Sequence, residues 1–175
     1  MKTIKIIGLL LLLLNFGVVN AQKWKITDDY NIAFANKDVS GVFKDISGSI
    51  VFDAASLANA KFNLTISVSS ISTGNGIQNK HAISSEWFNA SKFPDITFVS
   101  DKVEKTENGY KAIGKLEIKG VSKNVTIPFT FSKKGNKATF VGKFNVDRTD
   151  FGVGIKGNEV AETLKITATI HATKN

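Results

Sequence analysis

The stretch Lys61-Phe62-Asn63-Leu64-Thr65-Ile66-Ser67-Val68-Ser69 decides the fold class of this chain. Apolar side chains occupy the even positions and polar side chains the odd positions, and this period of two places alternate residues on opposite faces of a β-strand. A helix would instead repeat its apolar residues at intervals of three and four. The stretch therefore predicts a strand with one buried face and one solvated face.

The same alternation recurs on both sides of this stretch and predicts eight strands, each with one apolar face. Such strands can bury their apolar faces in a two-layer sandwich or in a closed barrel, and both are antiparallel. The hairpin signals Asn108-Gly109 and Lys134-Gly135-Asn136 favour short sequential connections, and hence an up-and-down barrel. The inward positions of the other seven strands are Trp24, Ile26, Tyr30, Ile32 and Phe34; Ile46, Gly48, Ile50 and Phe52; Ile96 and Phe98; Tyr110, Ala112, Gly114, Leu116 and Ile118; Val125, Ile127, Phe129 and Phe131; Phe140, Gly142, Phe144 and Val146; and Leu164, Ile166, Ala168 and Ile170.

The alternation lapses between Gly74 and Phe93. This segment predicts one or two short helical turns, lying as a crossover over one end of the barrel. Pro128 is one of two prolines and falls within a predicted strand. Because proline has no backbone N–H, this position predicts an edge, a bulge or a missing donor that faces outward.

The first residues predict export. Lys2 and Lys5 precede the apolar run Ile6–Leu14, and the small-residue site Val19-Asn20-Ala21 follows. This is the tripartite pattern of a secretory signal peptide. We therefore expect a signal peptide over residues 1–21 and one domain over residues 22–175, located in the periplasm or secreted.

The charge of the chain does not indicate nucleic-acid binding. The formal net charge is +8, and Lys2 and Lys5 contribute two of these charges. The lysines are scattered over the polar positions of strands, whereas a nucleic-acid footprint is a clustered basic patch. The pattern predicts a solvated lysine surface with at most transient attraction to anionic membranes.

Residues suited to catalysis are scarce in the sequence. The chain has no cysteine, and its two histidines, His81 and His171, are not at metal-ligand spacing. The acidic residues are not placed as a pair for acid and base chemistry. We expect no enzyme, no metal site and no cofactor; His81, within the crossover, is either a packing residue or a ligand contact.

Arg148 is the sole arginine of the chain, and its parity continues the inward series of the preceding strand. Burying a guanidinium costs several kcal/mol unless its donors are paired. One interpretation is a barrel-closing contact, with Trp24 or Tyr30 by cation–π stacking and with Asp150 or a carbonyl. The other is an anchor for the polar head of a lipid.

Three glycines, Gly48, Gly114 and Gly142, occupy inward positions. A glycine there either lets the strand bend or leaves lumen volume for a ligand, and the two explanations are compatible.

Several ordered blocks together resemble the YceI-like family: Thr73-Gly74-Asn75 before His81, Glu86-Trp87-Phe88-Asn89, Lys92–Phe98, Gly114–Lys123 and Arg148-Thr149-Asp150-Phe151-Gly152. The resemblance covers essentially the whole predicted domain. It implies an exported, lipocalin-like, eight-stranded barrel whose relatives bind polyisoprenoids or other long-chain amphiphiles in the lumen. The family commonly has Arg-Asp and His-Leu pairs in the crossover, where this chain has Gln78-Asn79 and His81-Ala82.

The prediction is an exported lipid-binding barrel that holds a long isoprenoid or other lipid for transport, storage or sequestration. The alternative is a packed barrel without ligand that acts as a stress-response or protein-interaction module. A homodimer and transient membrane contact fit either hypothesis. The candidate ligand-binding residues are Phe34, Ile50, Phe52, Leu64, Ile66, His81, Trp87, Phe98, Leu116, Phe129, Phe140, Gly142, Phe144 and Arg148.

Overall fold

The computed structural model describes residues 22–157 and 159–175, so the predicted signal peptide, residues 1–21, lies outside the described residues. Strands dominate this part of the chain, with one short helix, α1, at Gly76–Ile83. The strands are β1 (Lys23–Ala35), β2 (Ser40–Phe43), β3 (Ile46–Asp53), β4 (Ser56–Ser67), β5 (Ile71–Ser72), β6 (Asp95–Thr106), β7 (Gly109–Ile118), β8 (Val121–Lys134), β9 (Lys137–Asp147) and β10 (Thr163–Lys174).

These strands form one antiparallel sheet that closes on itself. Strands β2 and β3 both pair with β1, and their opposite edges pair with β5 and β4 respectively. Strands β2 and β3 therefore share one position in the wall, and strands β4 and β5 share the next. The wall has eight positions, in sequential order. Pairing of β10 with β1 completes the barrel. The predicted eight-stranded, up-and-down barrel is confirmed.

The connections differ between the two ends of the barrel. The end that we call the packed end has short turns at residues 54–55, 107–108 and 135–136. The end that we call the cavity end carries residues 36–39, 73–94, 119–120 and 148–162. The predicted hairpins at Asn108-Gly109 and Lys134-Gly135-Asn136 both form turns at the packed end.

The predicted crossover contains α1 and several turns. The helix begins after Asn75, whose side-chain oxygen accepts hydrogen bonds from the backbone N–H groups of Ile77 and Gln78 at 2.9 and 3.2 Å. Such a cap satisfies donors that a helix N-terminus leaves without a partner. The crossover thus lies at the cavity end, as the sequence predicted for one end of the barrel.

Gly48 and Gly114 permit close approach between strands. A Cβ at Gly48 would lie 2.0 Å from the carbonyl oxygen of Asn63, and one at Gly114 would lie 2.2 Å from that of Val99. Gly114 stands opposite Ser100, where a bulge shifts the β6–β7 register. The structure therefore favours the bending explanation at these two positions.

Gly142 differs from these two glycines. A Cβ there would meet only the Ile127 side chain at 3.3 Å and the Pro128 carbonyl oxygen at 3.7 Å. Because the neighbouring atoms leave room at the inner wall, the space explanation fits this position.

Candidate functional site

The barrel interior is divided between aromatic packing and open volume. At the packed end, Phe52 has 0% exposure. Its ring centroid lies between 4.7 and 6.4 Å from those of five other aromatic residues: Phe62, Tyr110, Phe129, Phe131 and Phe140. Aromatic pairs at such distances contribute beyond the area that they bury. This end of the barrel is therefore closed by side chains.

A cavity of about 530 Å³ opens at the other end. Cavities of roughly this size enclose drug-sized molecules in many proteins. The lining is mainly aliphatic and aromatic, with a few polar side chains. It comprises Ile32, Ala33, Phe34, Asp38, Val39, Phe43, Ile66, Ile71, Thr73, Gln78, His81, Ala82, Trp87, Phe88, Ile96, Leu116, Ile118, Phe144, Val146, Arg148, Val153, Glu159, Val160, Leu164 and Ile166.

A second cavity of about 110 Å³ lies deeper in the barrel. It shares six lining residues with the larger cavity, so the two form one apolar lumen that reaches toward the aromatic cluster. The shared residues are Ile32, Ile66, Ile96, Leu116, Phe144 and Ile166.

Of the predicted site residues, twelve line one or both cavities. The larger cavity has Phe34, Ile66, His81, Trp87, Leu116, Phe144 and Arg148. The deeper cavity has Leu64, Ile66, Phe98, Leu116, Phe129, Phe140, Gly142 and Phe144.

Ile50 and Phe52 line neither cavity, and this part of the prediction needs correction. Both point inward and are buried, as their strand parity required. They lie near the packed end, where Phe52 is surrounded by aromatic rings. Parity identifies the inner face of a strand but does not locate the depth at which the interior becomes hollow.

Arg148 is buried at the edge of the larger cavity, with 3% exposure. It follows the last residue of β9, and its guanidinium group donates hydrogen bonds to carbonyl oxygens of the 148–162 connection. The acceptors are Ala161 at 3.3 Å from Nε, Val153 at 2.7 Å from Nη1, and Ile155 and Val160 at 3.3 and 2.6 Å from Nη2. Arg148 thus holds a long connection whose described residues include only one short helical turn, at Thr149–Phe151.

The aromatic partner of Arg148 is Trp87, whose ring centroid lies 5.1 Å from Cζ. The predicted partners Trp24 and Tyr30 are wrong: the indole of Trp24 donates to the carbonyl of Phe52 at the packed end, and Tyr30 donates to the carbonyl of Lys44. The separation of Trp24 and Arg148 along the barrel could not be inferred from alternation, because both positions have inward parity.

Asp150 does not pair with the guanidinium group. Its carboxylate lies 3.0 Å from the ammonium group of Lys123. The predicted carbonyl contacts of Arg148 are present, and they supply the charge-assisted hydrogen bonds that a buried guanidinium requires.

Two further contacts join the chain connections at the cavity end to one another. Gly154 lies so close to Arg148 and Trp87 that a Cβ would come within 2.7 Å of Nη1 and 3.0 Å of the indole. Lys119 donates hydrogen bonds to the carbonyl oxygens of Glu86 at 3.2 Å and Gly152 at 2.8 Å. Burial lowers the pKa of Lys119, and the nearby Glu86 opposes this shift. Three connections are therefore tied together around the cavity.

Sequence reasoning missed most lining residues that come from connections, including Val39, Val153 and Val160. These residues have no periodic signal, because they lie outside strands. Ile32, Ile96 and Ile166 were recognised as inward but were not selected as site residues. Their depth in the barrel is set by register and by the connections.

Among residues 22–157 and 159–175, no group of three or more His, Cys, Asp or Glu side chains is arranged to hold a metal ion. Within the same ranges, none of the helical segments combines the length and apolarity needed to span a bilayer.

The fold and the site together define a closed antiparallel barrel with an apolar cavity at one end, the architecture of lipocalin-like barrels. The family model of the YceI-like domain matches residues 18–172. The chain belongs to the YceI-like family, as the sequence blocks predicted.

Similar proteins agree with this assignment. A UPF0312 protein of Yersinia enterocolitica is 31% identical over 156 residues, which cover 81% of each chain. The crystal structure of BcnA from Burkholderia cenocepacia has a TM-score of 0.79 at 31% identity, covering 82% of this chain and 96% of that one. A polyisoprenoid-binding domain from Saccharophagus degradans has a TM-score of 0.65 at 12% identity, covering 89% and 99%, and supports the fold alone.

Proposed function

We propose that this protein is an exported carrier that holds a long apolar lipid of the isoprenoid type in its lumen, for transport, storage or sequestration. The observation that carries the proposal is the cavity of about 530 Å³, whose walls are mostly aliphatic and aromatic. A structural neighbour is described as a polyisoprenoid-binding domain, which agrees with this choice of ligand. The role is binding, without covalent chemistry.

The physical driving force is sufficient for such a ligand. Each buried CH₂ contributes about 0.8 kcal/mol, so about twenty chain carbons give roughly 16 kcal/mol before costs. Association and chain ordering cost roughly 4 to 15 kcal/mol or more. The remainder corresponds to modest or good affinity, and such an apolar surface recognises length and width more than chemical identity.

Solvent extraction of the purified protein followed by mass spectrometry tests the proposal. Ile166→Trp fills the lumen from a position that lines both cavities. Thr167→Trp adds the same side chain at the next residue of β10, on the opposite face of the strand. We expect wild type and Thr167→Trp to retain lipid and Ile166→Trp to lose it. A wild-type protein that yields no lipid, and takes up no farnesol after delipidation, contradicts the proposal.

Export is part of the proposal and rests on the pattern of residues 1–21. The intact mass of the exported protein measures it, and we expect a chain that begins at Gln22. An exported chain that retains Met1 would contradict cleavage after Ala21.

Transient contact of the cavity end with a membrane is supported by the exposed apolar residues. Ile77 is 70% exposed and Ile155 is 64% exposed, and Ile83 and Val121 are also exposed. All four lie on or next to connections of the cavity end. Apolar side chains at a surface contribute to interfacial membrane binding.

Sedimentation with phosphatidylcholine vesicles measures this contact. We expect Ile77→Ser with Ile155→Ser to reduce the bound fraction, and Val51→Ser, on the wall of β3, to leave it unchanged. Equal binding by all variants would contradict the proposed surface. Formation of a homodimer remains a prediction. Light scattering tests it by measuring the molar mass of the protein in solution.

A further inference from the structure

Strands β8 and β9 are paired along only part of their length. Their ladder runs from Lys134 opposite Lys137 to Phe129 opposite Gly142. In the register that the structure describes, residues 121–128 of β8 pair with β7 alone, and residues 143–147 of β9 pair with β10 alone. The barrel wall therefore lacks β8–β9 pairing between these two segments, toward the cavity end. We call residues 121–128 and 143–147 together the parted segment.

The two residues at the start of the parted segment suit a place where pairing stops. Pro128 immediately precedes Phe129, the first residue of β8 that pairs with β9, and it has no backbone N–H to donate to a neighbouring strand. The sequence predicted an edge, a bulge or an outward-facing missing donor at Pro128. In the structure this residue lies next to the end of the β8–β9 ladder, so its β9 side is an unpaired edge. Across the wall, Gly142 has no side chain that could pack over the opening.

The inner side of the parted segment reaches the lumen. The deeper cavity is lined on one side by Ile127 and Phe129 of β8, and on the other by Gly142 and Phe144 of β9. Ile127 and Phe144 are half-buried. An apolar path therefore leads from the deeper cavity toward the parted segment.

The route along the barrel axis is closed in the other direction. Beyond the deeper cavity lies the aromatic cluster around Phe52, and Phe52 itself has no exposed surface. A cavity of about 530 Å³ suits a drug-sized molecule. An isoprenoid chain that is longer than the lumen extends beyond it, either through the mouth at the cavity end or through the wall.

We propose that the parted segment, residues 121–128 and 143–147, is an extension subsite through which the chain of a long apolar ligand passes out of the lumen. This inference rests on the proposed function and adds a determinant of ligand length. The subsite accepts a slender polyisoprenoid chain whose first part fills the lumen. Ligands shorter than the lumen do not use it.

A covalent bridge across the parted segment tests the inference. The chain has no native cysteine, so introduced thiols are unique. If the β8–β9 register continued, Thr126 would stand opposite Asn145, and both side chains are exposed. Thr126→Cys with Asn145→Cys is bridged by bis-maleimides of two spacer lengths, and intact mass verifies the bridge. The matched control is Thr130→Cys with Val141→Cys, which are paired in the ladder.

The readout is retention of farnesol and of solanesol, a short and a long isoprenoid alcohol, by delipidated protein. We expect the 126–145 bridge to lower solanesol retention about tenfold or more, equivalent to about 1.4 kcal/mol, and to leave farnesol retention nearly unchanged. The control bridge should alter neither.

Unchanged solanesol retention in the bridged protein overturns the extension subsite and leaves the proposed function intact. Loss of both alcohols also overturns it, since the bridge would then act on the lumen itself. Failure of the unbridged protein to hold either alcohol overturns the proposed function together with this inference.

Amide hydrogen exchange provides a measurement that does not depend on bridging. We expect residues 143–146 of β9 in the ligand-free protein to exchange faster than residues 138–141 on the same strand, because only the latter are paired on both sides. Equal protection of the two segments contradicts a parted wall.

Discussion

The packed end and the cavity end are built on the same strands, but their interiors are filled differently. Near the turns at residues 54–55, 107–108 and 135–136, large aromatic side chains meet across the barrel. Near the longer connections, the inward residues are largely aliphatic and surround open volume. The hypotheses of a packed barrel and a hollow barrel each describe one end of this molecule.

This difference indicates how one small barrel provides both stability and space. The aromatic cluster buries large apolar surfaces and removes one end of the lumen from solvent. The cavity end lacks that packing, and hydrogen bonds from Arg148 and Lys119 to carbonyl oxygens organise its connections. We therefore expect apolar truncations to cost most at the packed end, and polar network changes to matter most at the cavity end.

The largest effect should come from Phe52→Ala. Removing a ring that contacts five others leaves a cavity that the rigid barrel wall cannot fill, at a cost of about 3 to 5 kcal/mol. Phe144→Ala is the matched variant at the cavity end, and roughly half of that cost is expected because Phe144 already faces open volume. Urea denaturation measures both free energies of unfolding. Equal losses would remove the energetic distinction between the two ends.

Arg148→Ala should have the next largest effect. It leaves one buried and three partly buried carbonyl groups without the donors of Arg148, and we expect a loss of about 2 to 4 kcal/mol in the free energy of unfolding. Arg148→Lys should rescue little of this, because an ammonium group lacks the planar fork. Lys123→Ala, at an exposed ion pair, is the control. Unchanged stability with lost lipid would instead support the head-group anchor.

Gly142→Leu tests the inner boundary between the two ends. The new side chain enters the deeper cavity, so lipid retention should fall while the protein still folds. Overpacking a filled core costs roughly 1 to 3 kcal/mol in the free energy of unfolding, and we expect a smaller cost here. Gly142→Ala should be tolerated, because its Cβ meets only Ile127 and Pro128 at ordinary or slightly short distances. Strong destabilisation by Gly142→Leu, without lipid in wild type, would mean that this region is packed.

The smallest effect concerns an exposed ion pair cluster near the packed end. Lys102 and Lys111 lie 2.6 and 2.9 Å from the carboxylate of Glu104 and lower its pKa from 4.5 to about 2. A carboxyl group with a lowered folded-state pKa stabilises the fold above its unfolded pKa, and this contribution disappears as the pH falls from about 4.5 to about 2.

Wild type should therefore lose slightly more stability than Glu104→Gln over that pH range, measured by thermal unfolding at several pH values. Parallel pH profiles would show that the Glu104 cluster contributes nothing measurable, as is frequent for exposed pairs. Cavity-end variants should not alter this difference.

The sequence by itself determined eight of the ten described strands, their inward faces, the position of the crossover and the family, and it missed only the short strands β2 and β5. Alternation is a local property, because side chains point to opposite faces of a strand whatever lies around it. Asn108-Gly109 and Lys134-Gly135-Asn136 likewise specify their turns locally. Twelve of the predicted site residues therefore line the lumen.

Only the tertiary structure decided how deep each inward residue lies, and with which residues it makes contact. Ile50 and Phe52 have the same parity as the cavity residues but fall near the packed end, since depth depends on register between strands distant in sequence. Arg148 contacts Trp87 and the carbonyls of its own connection, because chain closure brings the crossover and the 148–162 segment together. The parted β8–β9 wall is likewise a property of pairing, which no single strand encodes.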